Sequence, residues 1–252
     1  MAATKTEARP AASATRSAPF LVELYRSAMG KKYVMAVSGI VMMGYVFAHM
    51  VGNLKLYLGT EADGTPKIDH YAEWLRTGLG TPILPEEGVL WIFRLVLLAA
   101  LVFHVHAAWA LTVMNRRARP DGYRSKRDYI SADFASRTMR WTGVIVLLFI
   151  GFHLADLTFG SQPAASADYV YGDVYANIVA SFQRPAVAAF YIVANLALGV
   201  HLYHGGWSLF QTLGVVNPRY NHLRRSFAVV FAAVVVLGNI SFPVAVLTGI
   251  VA

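Results

Sequence analysis

The sequence predicts an all-α integral membrane protein with five transmembrane helices, and three observations support that fold class. Of 252 residues, 56% are hydrophobic and only 14% are charged, which is too apolar for an ordinary water-soluble domain. Five apolar runs are each long enough to cross a bilayer as a helix. Lysine and arginine concentrate in alternate connections between those runs, as expected for a chain that crosses a membrane repeatedly.

The chain contains no cysteine. Thiolate iron–sulfur sites, zinc–thiolate sites, disulfides and thiol catalysis are therefore excluded within it. Any redox centre in this chain must use histidine or methionine ligands.

The elements follow from composition along the chain. Residues 1–26 are rich in Ala, Ser and Thr with scattered basic residues, so we expect a disordered cytoplasmic tail ahead of a membrane domain, 27–252. In the connection between the first two spans, a short amphipathic helix is predicted to lie at the membrane surface. The fifth span has no histidine or formal charge, so we expect it to face lipid or a partner. The spans are predicted at about 33–57, 89–114, 141–159, 185–213 and 226–251.

The basic residues predict the orientation of the chain. The N-terminal segment has six Lys and Arg, the connection between spans II and III has eight, and the loop between spans IV and V has three. The two other connections have about three and one. The positive-inside rule therefore predicts a multi-pass protein of the cytoplasmic membrane with its N-terminus in the cytoplasm and its C-terminus outside. The net charge of +8 is explained by anionic lipid headgroups, without nucleic acid.

Histidines lie inside four of the five spans. Imidazole within a bilayer is usually functional, as a metal or haem ligand or in a proton relay. At 1.5 Å per residue, His49 and His153 fall in the outer half of the membrane, and His106 and His204 fall in the inner half. Two pairs at two depths predict two bis-histidine haems b stacked across the membrane, in a bundle formed by the first four helices.

Two further histidines compete for the inner positions. His104 and His106 are about 200° apart on a helix and cannot face the same centre. We favour His106 because two alanines follow it, and His204 over His201 because two glycines follow it and leave room for a planar ligand. His104 and His201 are then predicted to contact a haem edge or a propionate, or to pack structurally.

Four other polar residues have both a functional and a structural interpretation. Arg94 pairs with a propionate of the outer haem or extends to the headgroups. Asp156 accepts a proton in quinone chemistry or is a satisfied polar group at a helix end. Ser27 and Lys31 border a quinone pocket or belong to the charge cluster at the inner boundary.

Together these residues resemble the dihaem cytochrome b membrane anchor of succinate:quinone oxidoreductase, in its single-subunit, five-helix form that also occurs in fumarate reductases. The similarity extends from about residue 27 to the end of the fifth span. It runs through His49 in HMVGNL, His106 ahead of ARP, His153 in FHLAD, and HLYHGGWSLFQTLG from His201.

The resemblance implies a complex in which this chain carries no dehydrogenase chemistry of its own. A flavoprotein subunit oxidises succinate, and an iron–sulfur subunit passes electrons through the two haems b to quinone, often menaquinone in members with two haems. The match assigns His106 and His204 to the inner haem, and His49 and His153 to the outer haem. It matches no residue to a quinone-site carboxylate. It leaves open whether the complex forms a higher oligomer.

Two other functions are compatible with histidines at these positions. The first is a cytochrome b subunit of another quinone-linked dehydrogenase, such as a hydrogenase or formate dehydrogenase, which a co-purifying flavoprotein would exclude. The second is a transporter or proton channel that uses histidine and aspartate as a relay. A colourless purified protein would favour that function.

Overall fold

The computed structural model describes residues 19–118 and 134–252. The first eighteen residues of the predicted tail and most of the predicted connection between spans II and III lie outside these ranges.

The described residues are helical throughout, apart from turns and connections. A 3₁₀ turn at Leu54–Tyr57 follows the second helix, and another at Pro218–Tyr220 precedes the last one. The α-helices are α1 (Phe20–Arg26), α2 (Ala28–Asn53), α3 (Lys67–Glu73), α4 (Gly88–Arg117), α5 (Phe134–Leu157), α6 (Val174–Phe182), α7 (Pro185–Thr212) and α8 (Asn221–Leu247).

Five of these helices, α2, α4, α5, α7 and α8, are long and apolar enough to cross a membrane, so the predicted fold class is confirmed. Their surfaces carry many exposed large apolar side chains, which is the expected surface of helices in contact with lipid. We call the end formed by the start of α2 and the end of α4 the inner end. The opposite end, where α6 leads into α7, is the outer end.

The inner end of α2 differs from the predicted boundary. The helix begins at Ala28 because Ser27 caps it, with Ser27 Oγ accepting a hydrogen bond of 2.9 Å from the Gly30 amide. Just before it, α1 occupies the last seven residues of the predicted disordered tail, so the structure corrects the prediction there. The buried Lys31 stabilises this junction, since its Nζ donates 2.8 Å bonds to the carbonyls of Tyr25 and Arg26 at the end of α1.

The membrane helices pack as two pairs with an additional helix. We call α2 with α4 the first pair, and α5 with α7 the second pair. Contacts between α2 and α7 connect the pairs, and α8 packs along α7 and also touches α2. Of the described elements, α4 packs chiefly on α2, so its remaining surface is open to lipid or to groups held between the pairs.

Helix α8 has one exposed apolar side and one side packed on α7. It buries a stripe that includes Ala228, Ala232 and Val235 against α7. The backbones come close because α7 presents glycines. A Cβ placed on Gly199 would lie 2.5 Å from Val236 Cγ2. Small residues of this kind allow tight helix packing in membranes.

Short helices cover the outer ends of the membrane helices. The predicted amphipathic segment forms α3, and α6 lies in the connection before α7, where no helix is predicted. Asp173 caps α6 by accepting a 3.0 Å bond from the Ala176 amide. Asp69 of α3 accepts a 2.8 Å bond from the Tyr175 amide, and Tyr175 Oη donates to the carbonyl of Ala252. This layer buries the outer end of α7.

Candidate functional site

The two outer histidines of the sequence prediction lie together between the helix pairs. His49 comes from α2 and His153 from α5, and their ring centroids are 5.8 Å apart with planes at 84°. Tyr45, one turn before His49 on α2, stacks on the His49 ring at 5.4 Å.

A second histidine pair lies at the inner level, and it consists of His104 and His201. Their ring centroids are 6.3 Å apart with planes at 56°. His104 comes from α4 and His201 from α7, so this pair also joins one helix of the first pair to one of the second.

This inner pair differs from the predicted one, His106 and His204. His106 faces away from His104 on α4 and is exposed, and its ring stacks on Tyr25 at 5.8 Å. Its Nδ1 is hydrogen-bonded to the Tyr25 hydroxyl of α1. His204 lies one turn beyond His201 on the same helix, α7.

The physical reason is that facing helices supply the room for the inner rings. Gly39 of α2 lies against His104, and a Cβ at that position would be 3.7 Å from His104 Cε1. Gly143 of α5 lies against His201 in the same way, at 3.4 Å from its Cε1. The prediction relied on the small residues that follow His106 and His204 on the same helix. The contact between His104 and His201 depends instead on glycines of the facing helices.

Hydroxyl groups engage the Nδ1 atom of three of the four paired histidines. Ser38 Oγ lies 3.1 Å from His104 Nδ1, and Thr142 Oγ1 lies 3.4 Å from His201 Nδ1. At the outer level, the Tyr191 hydroxyl lies 3.3 Å from His153 Nδ1. With Nδ1 engaged, Nε2 is the ring nitrogen left for a metal ligand bond.

The inner hydroxyls and glycines form a repeat that the sequence analysis missed. Ser38 stands eleven residues before His49, and Thr142 stands eleven residues before His153; a glycine follows each of these hydroxyl residues. Helices α2 and α5 therefore each present a hydroxyl and a glycine to the inner histidine pair, and each contributes one histidine to the outer histidine pair. Eleven helical residues separate the two levels by about 16 Å. This repeat would have indicated the level at which the inner pair lies.

The arrangement fits two haem groups better than another metal site. Two imidazoles that bind one metal ion from opposite sides, at about 2 Å each, have ring centres roughly 6 to 6.5 Å apart, close to both observed separations. The described residues contain no cluster of three or more His, Asp or Glu side chains that could hold a metal ion by themselves. A planar group with two axial histidines matches this donor set.

The other predicted site residues have structural partners. Arg94 Nη1 lies 3.5 Å from Glu87 Oε2, and its guanidinium lies over the Trp91 ring at 4.8 Å. Ser27 and Lys31 stabilise the junction of α1 and α2. Asp156 is fully buried and paired with Arg184, with 2.7 Å between Oδ1 and Nη2.

An apolar cavity of about 460 Å³ lies between α1, α2 and α4. Its size falls in the range of about 300–1,000 Å³ that is usual for sites of small molecules. Ser38, the hydroxyl partner of His104, and Tyr25, the partner of His106, both line it. The other lining residues are Tyr33, Val34, Val37, Val41, Val96, Ala100 and Phe103.

Similarity to known proteins identifies a family for this chain. The family of succinate dehydrogenase/fumarate reductase transmembrane subunits has a model that matches residues 114–240, half of the chain. The chain belongs to this family. One relative is the succinate dehydrogenase cytochrome b558 subunit of Bacillus subtilis (strain 168), which is 31% identical to this chain over 139 residues. That alignment covers 54% of this chain and 61% of the relative, less than two thirds of its length. No solved structure matches the chain significantly.

Proposed function

We propose that this chain is the membrane-anchor cytochrome b subunit of a succinate:quinone oxidoreductase and that it binds two haems b. His49 and His153 are the axial ligands of the outer haem, and His104 and His201 are those of the inner haem. The observation that carries the proposal is the presence of two histidine pairs at two levels, with each pair joining the two helix pairs.

The inner ligands of this proposal replace the pair favoured from the sequence. His104 and His201 face each other, have glycines opposite their rings and have hydroxyl groups on Nδ1. His106 is exposed and bonded to Tyr25. His106 therefore belongs to the contact between α1 and α4 and not to the haem.

The bound haems would supply one-electron transfer and, with two axial histidines each, would leave no open coordination position for oxygen. The two histidine pairs that would hold these groups are separated by about 16 Å of helical rise, and the helices around them are apolar. Ser38, Thr142 and Tyr191 fix the orientation of the ligand rings. The chain thus conducts electrons and leaves substrate chemistry to other subunits.

Family membership supports the partners that we propose for this chain. A flavoprotein subunit oxidises succinate, and an iron–sulfur subunit docks on the inner, cytoplasmic end and exchanges electrons with the inner haem. The final acceptor is a membrane quinone, for which the resemblance favours menaquinone. The protein lies in the cytoplasmic membrane with its N-terminus inside and its C-terminus outside, and the positive-inside rule supports this orientation.

The structure favours structural roles for the three quinone candidates. Ser27 and Lys31 use their polar groups to cap α1 and α2. Asp156 uses its carboxylate in a buried cluster. The cavity of about 460 Å³ beside Tyr25 is a better candidate for a quinone ring or tail, because its walls are apolar and include the rings of Tyr25 and Tyr33.

The proposal is tested by haem content in the complex purified from membranes with its natural partner subunits. We expect reduced-minus-oxidised spectra and a haem-to-protein ratio that give two b-type haems per chain. His49→Ala and His153→Ala should each lose the outer haem, and His104→Ala and His201→Ala should each lose the inner haem, because each substitution removes one axial ligand.

His106→Ala and His204→Ala are matched controls, since each changes a histidine within three residues of a proposed ligand on the same helix. Both should keep two haems. If these two variants lose the inner haem while His104→Ala and His201→Ala retain it, the inner ligands are the pair favoured from the sequence. A folded wild-type complex without haem would overturn the electron-transfer function altogether.

A further inference from the structure

A buried chain of hydrogen bonds lies behind the outer histidine His153. Tyr191 of α7 places its hydroxyl 3.3 Å from His153 Nδ1 and 2.9 Å from Asp156 Oδ2. Tyr191 is 4% exposed and Asp156 is 1% exposed. One hydroxyl therefore connects the imidazole of the proposed ligand to a carboxylate that is sequestered from solvent.

Both oxygens of the Asp156 carboxylate accept hydrogen bonds. Arg184 Nη2 lies 2.7 Å from Oδ1, and Ser181 Oγ donates a 2.5 Å bond to Oδ2, the oxygen that also accepts from Tyr191. Arg184 is itself fixed, since its Nη1 donates a 2.8 Å bond to the carbonyl of Ala164. Buried charges that are paired and hydrogen-bonded in this way have one well-defined arrangement.

The polarity of the chain follows from the chemistry of its members. A carboxylate paired with a guanidinium is ionised and can only accept hydrogen bonds. The single hydroxyl proton of Tyr191 must therefore point to Asp156, and the Tyr191 oxygen can only accept from His153. His153 then carries its proton on Nδ1, and Nε2 is unprotonated and available as a ligand.

We propose that Tyr191, oriented by Asp156, is a positioning residue that sets the tautomer and the donor strength of His153 toward the outer haem iron. The inference deepens the proposed function and rests on it, because it requires iron bound at His153 Nε2. An imidazole that donates its second N–H to such an acceptor is a more basic ligand. It stabilises ferric iron and lowers the midpoint potential of the outer haem.

Among the residues that the structure describes, no carboxylate accepts from the inner hydroxyls in this way. Ser38 Oγ donates its proton to the carbonyl of Val34 at 2.6 Å, and Thr142 Oγ1 donates to the carbonyl of Met139 at 3.0 Å. The hydroxyls beside His104 and His201 are thus backed by neutral peptide groups, which are weaker acceptors than a carboxylate. The two haems consequently have ligands of unequal basicity, and Asp156 lowers the potential of only one of them.

The test is a redox titration of both haems in the purified complex, followed by visible and electron paramagnetic resonance spectra. Tyr191→Phe removes the hydroxyl and leaves Asp156 with Ser181 and Arg184. The matched control is Tyr175→Phe, which removes a tyrosine hydroxyl at the same end of the molecule whose partner is the carbonyl of Ala252 at 3.1 Å.

We expect Tyr191→Phe to keep two haems, to raise the potential of the outer haem and to change its low-spin signal, with the inner haem unchanged. Each tenfold loss of preference for the ferric state corresponds to about 59 mV. Substitutions of groups that hydrogen-bond to metal ligands commonly change metal affinity by about 10- to 100-fold. An outer potential equal to that of Tyr175→Phe overturns this inference, whereas a control complex with no haem overturns the proposed function instead.

A double-mutant cycle with Asp156→Asn tests the part played by the carboxylate. Loss of the charge acts on the iron through space in both backgrounds, so only the effect transmitted by Tyr191 appears as coupling. We expect Asp156→Asn to raise the outer potential less in the Tyr191→Phe background than in wild type. Additive shifts would overturn the role of Asp156, and Tyr191→Phe alone decides the role of Tyr191 if Asp156→Asn fails to assemble.

Discussion

Gly143 leaves the space that the His201 ring occupies at the inner level. A Cβ at Gly143 would lie 3.4 Å from His201 Cε1, in van der Waals contact with no space beyond it, so a larger side chain would push into the ring. We expect Gly143→Leu to lose the inner haem and to keep the outer one. Haem content and the reduced-minus-oxidised spectrum of the purified complex measure both.

Gly151→Leu is the matched control for this substitution. Gly151 lies on the same helix, and a Cβ there would meet no atom within 4 Å. The control should retain two haems because its new side chain extends into open space. Equal haem content in the two variants would contradict the packing role of Gly143.

The histidines show what could and could not be predicted at the scale of single residues. The depth of His49 and His153 could be calculated from residue number, and the structure brings these two together. The choice between His104 and His106 depended on which side of α4 faces the other helices. That information lies in Ser38 and Gly39 on another helix, so it is a property of the packed structure and not of the local sequence.

At the scale of elements, the long apolar runs predict the five membrane helices. The short helices beside them are harder to predict from the sequence. The cap at Ser27 extends α2 by several residues beyond its apolar run. Helix α6 was missed because its nine residues lie within a polar connection, and it is stabilised by the Asp173 cap and by packing on α3 and α7. Short helices of this kind depend on tertiary contacts more than on their own propensity.

The contact between α3 and α6 gives a prediction about pH. Partial burial raises the pKa of Asp69, opposed by the Tyr175 amide that donates to its carboxylate. A carboxyl whose pKa is higher in the folded than in the unfolded state binds more protons when folded, so its contribution to stability falls as pH rises through that window.

Asp69→Asn keeps an oxygen that accepts from the Tyr175 amide and removes the titration. We therefore expect the stability of Asp69→Asn relative to wild type to increase between about pH 4 and about pH 7. Thermal unfolding of both proteins at the two pH values, followed by tryptophan fluorescence, measures the difference. A relative stability that decreases over this range would contradict the assigned sign.

At the scale of the whole molecule, the absence of cysteine makes the proposed orientation easy to test with single-cysteine variants. Asp168 is exposed in the connection after α5, and Val216 is exposed in the loop between α7 and α8. We expect a membrane-impermeant maleimide to label Asp168→Cys in intact cells and to leave Val216→Cys unlabelled until the membrane is opened.

Labelling of both variants in denaturing detergent provides the reference for complete reaction. Labelling of Val216→Cys but not Asp168→Cys in intact cells would place the C-terminus in the cytoplasm and reverse the proposed orientation. The docking end for the iron–sulfur subunit would then lie on the wrong side of the membrane, so the result bears on the partner as well.

The pairing of the helices has a consequence for biogenesis. Each proposed iron takes one ligand from the first helix pair and one from the second, so a bound haem fastens the two halves of the bundle together at two heights. Ligand binding that favours only the assembled state adds its free energy to that state. Cofactor supply would therefore govern how much of the anchor matures. A cell short of haem would lose the docking site for the proposed dehydrogenase subunits together with the path for electrons.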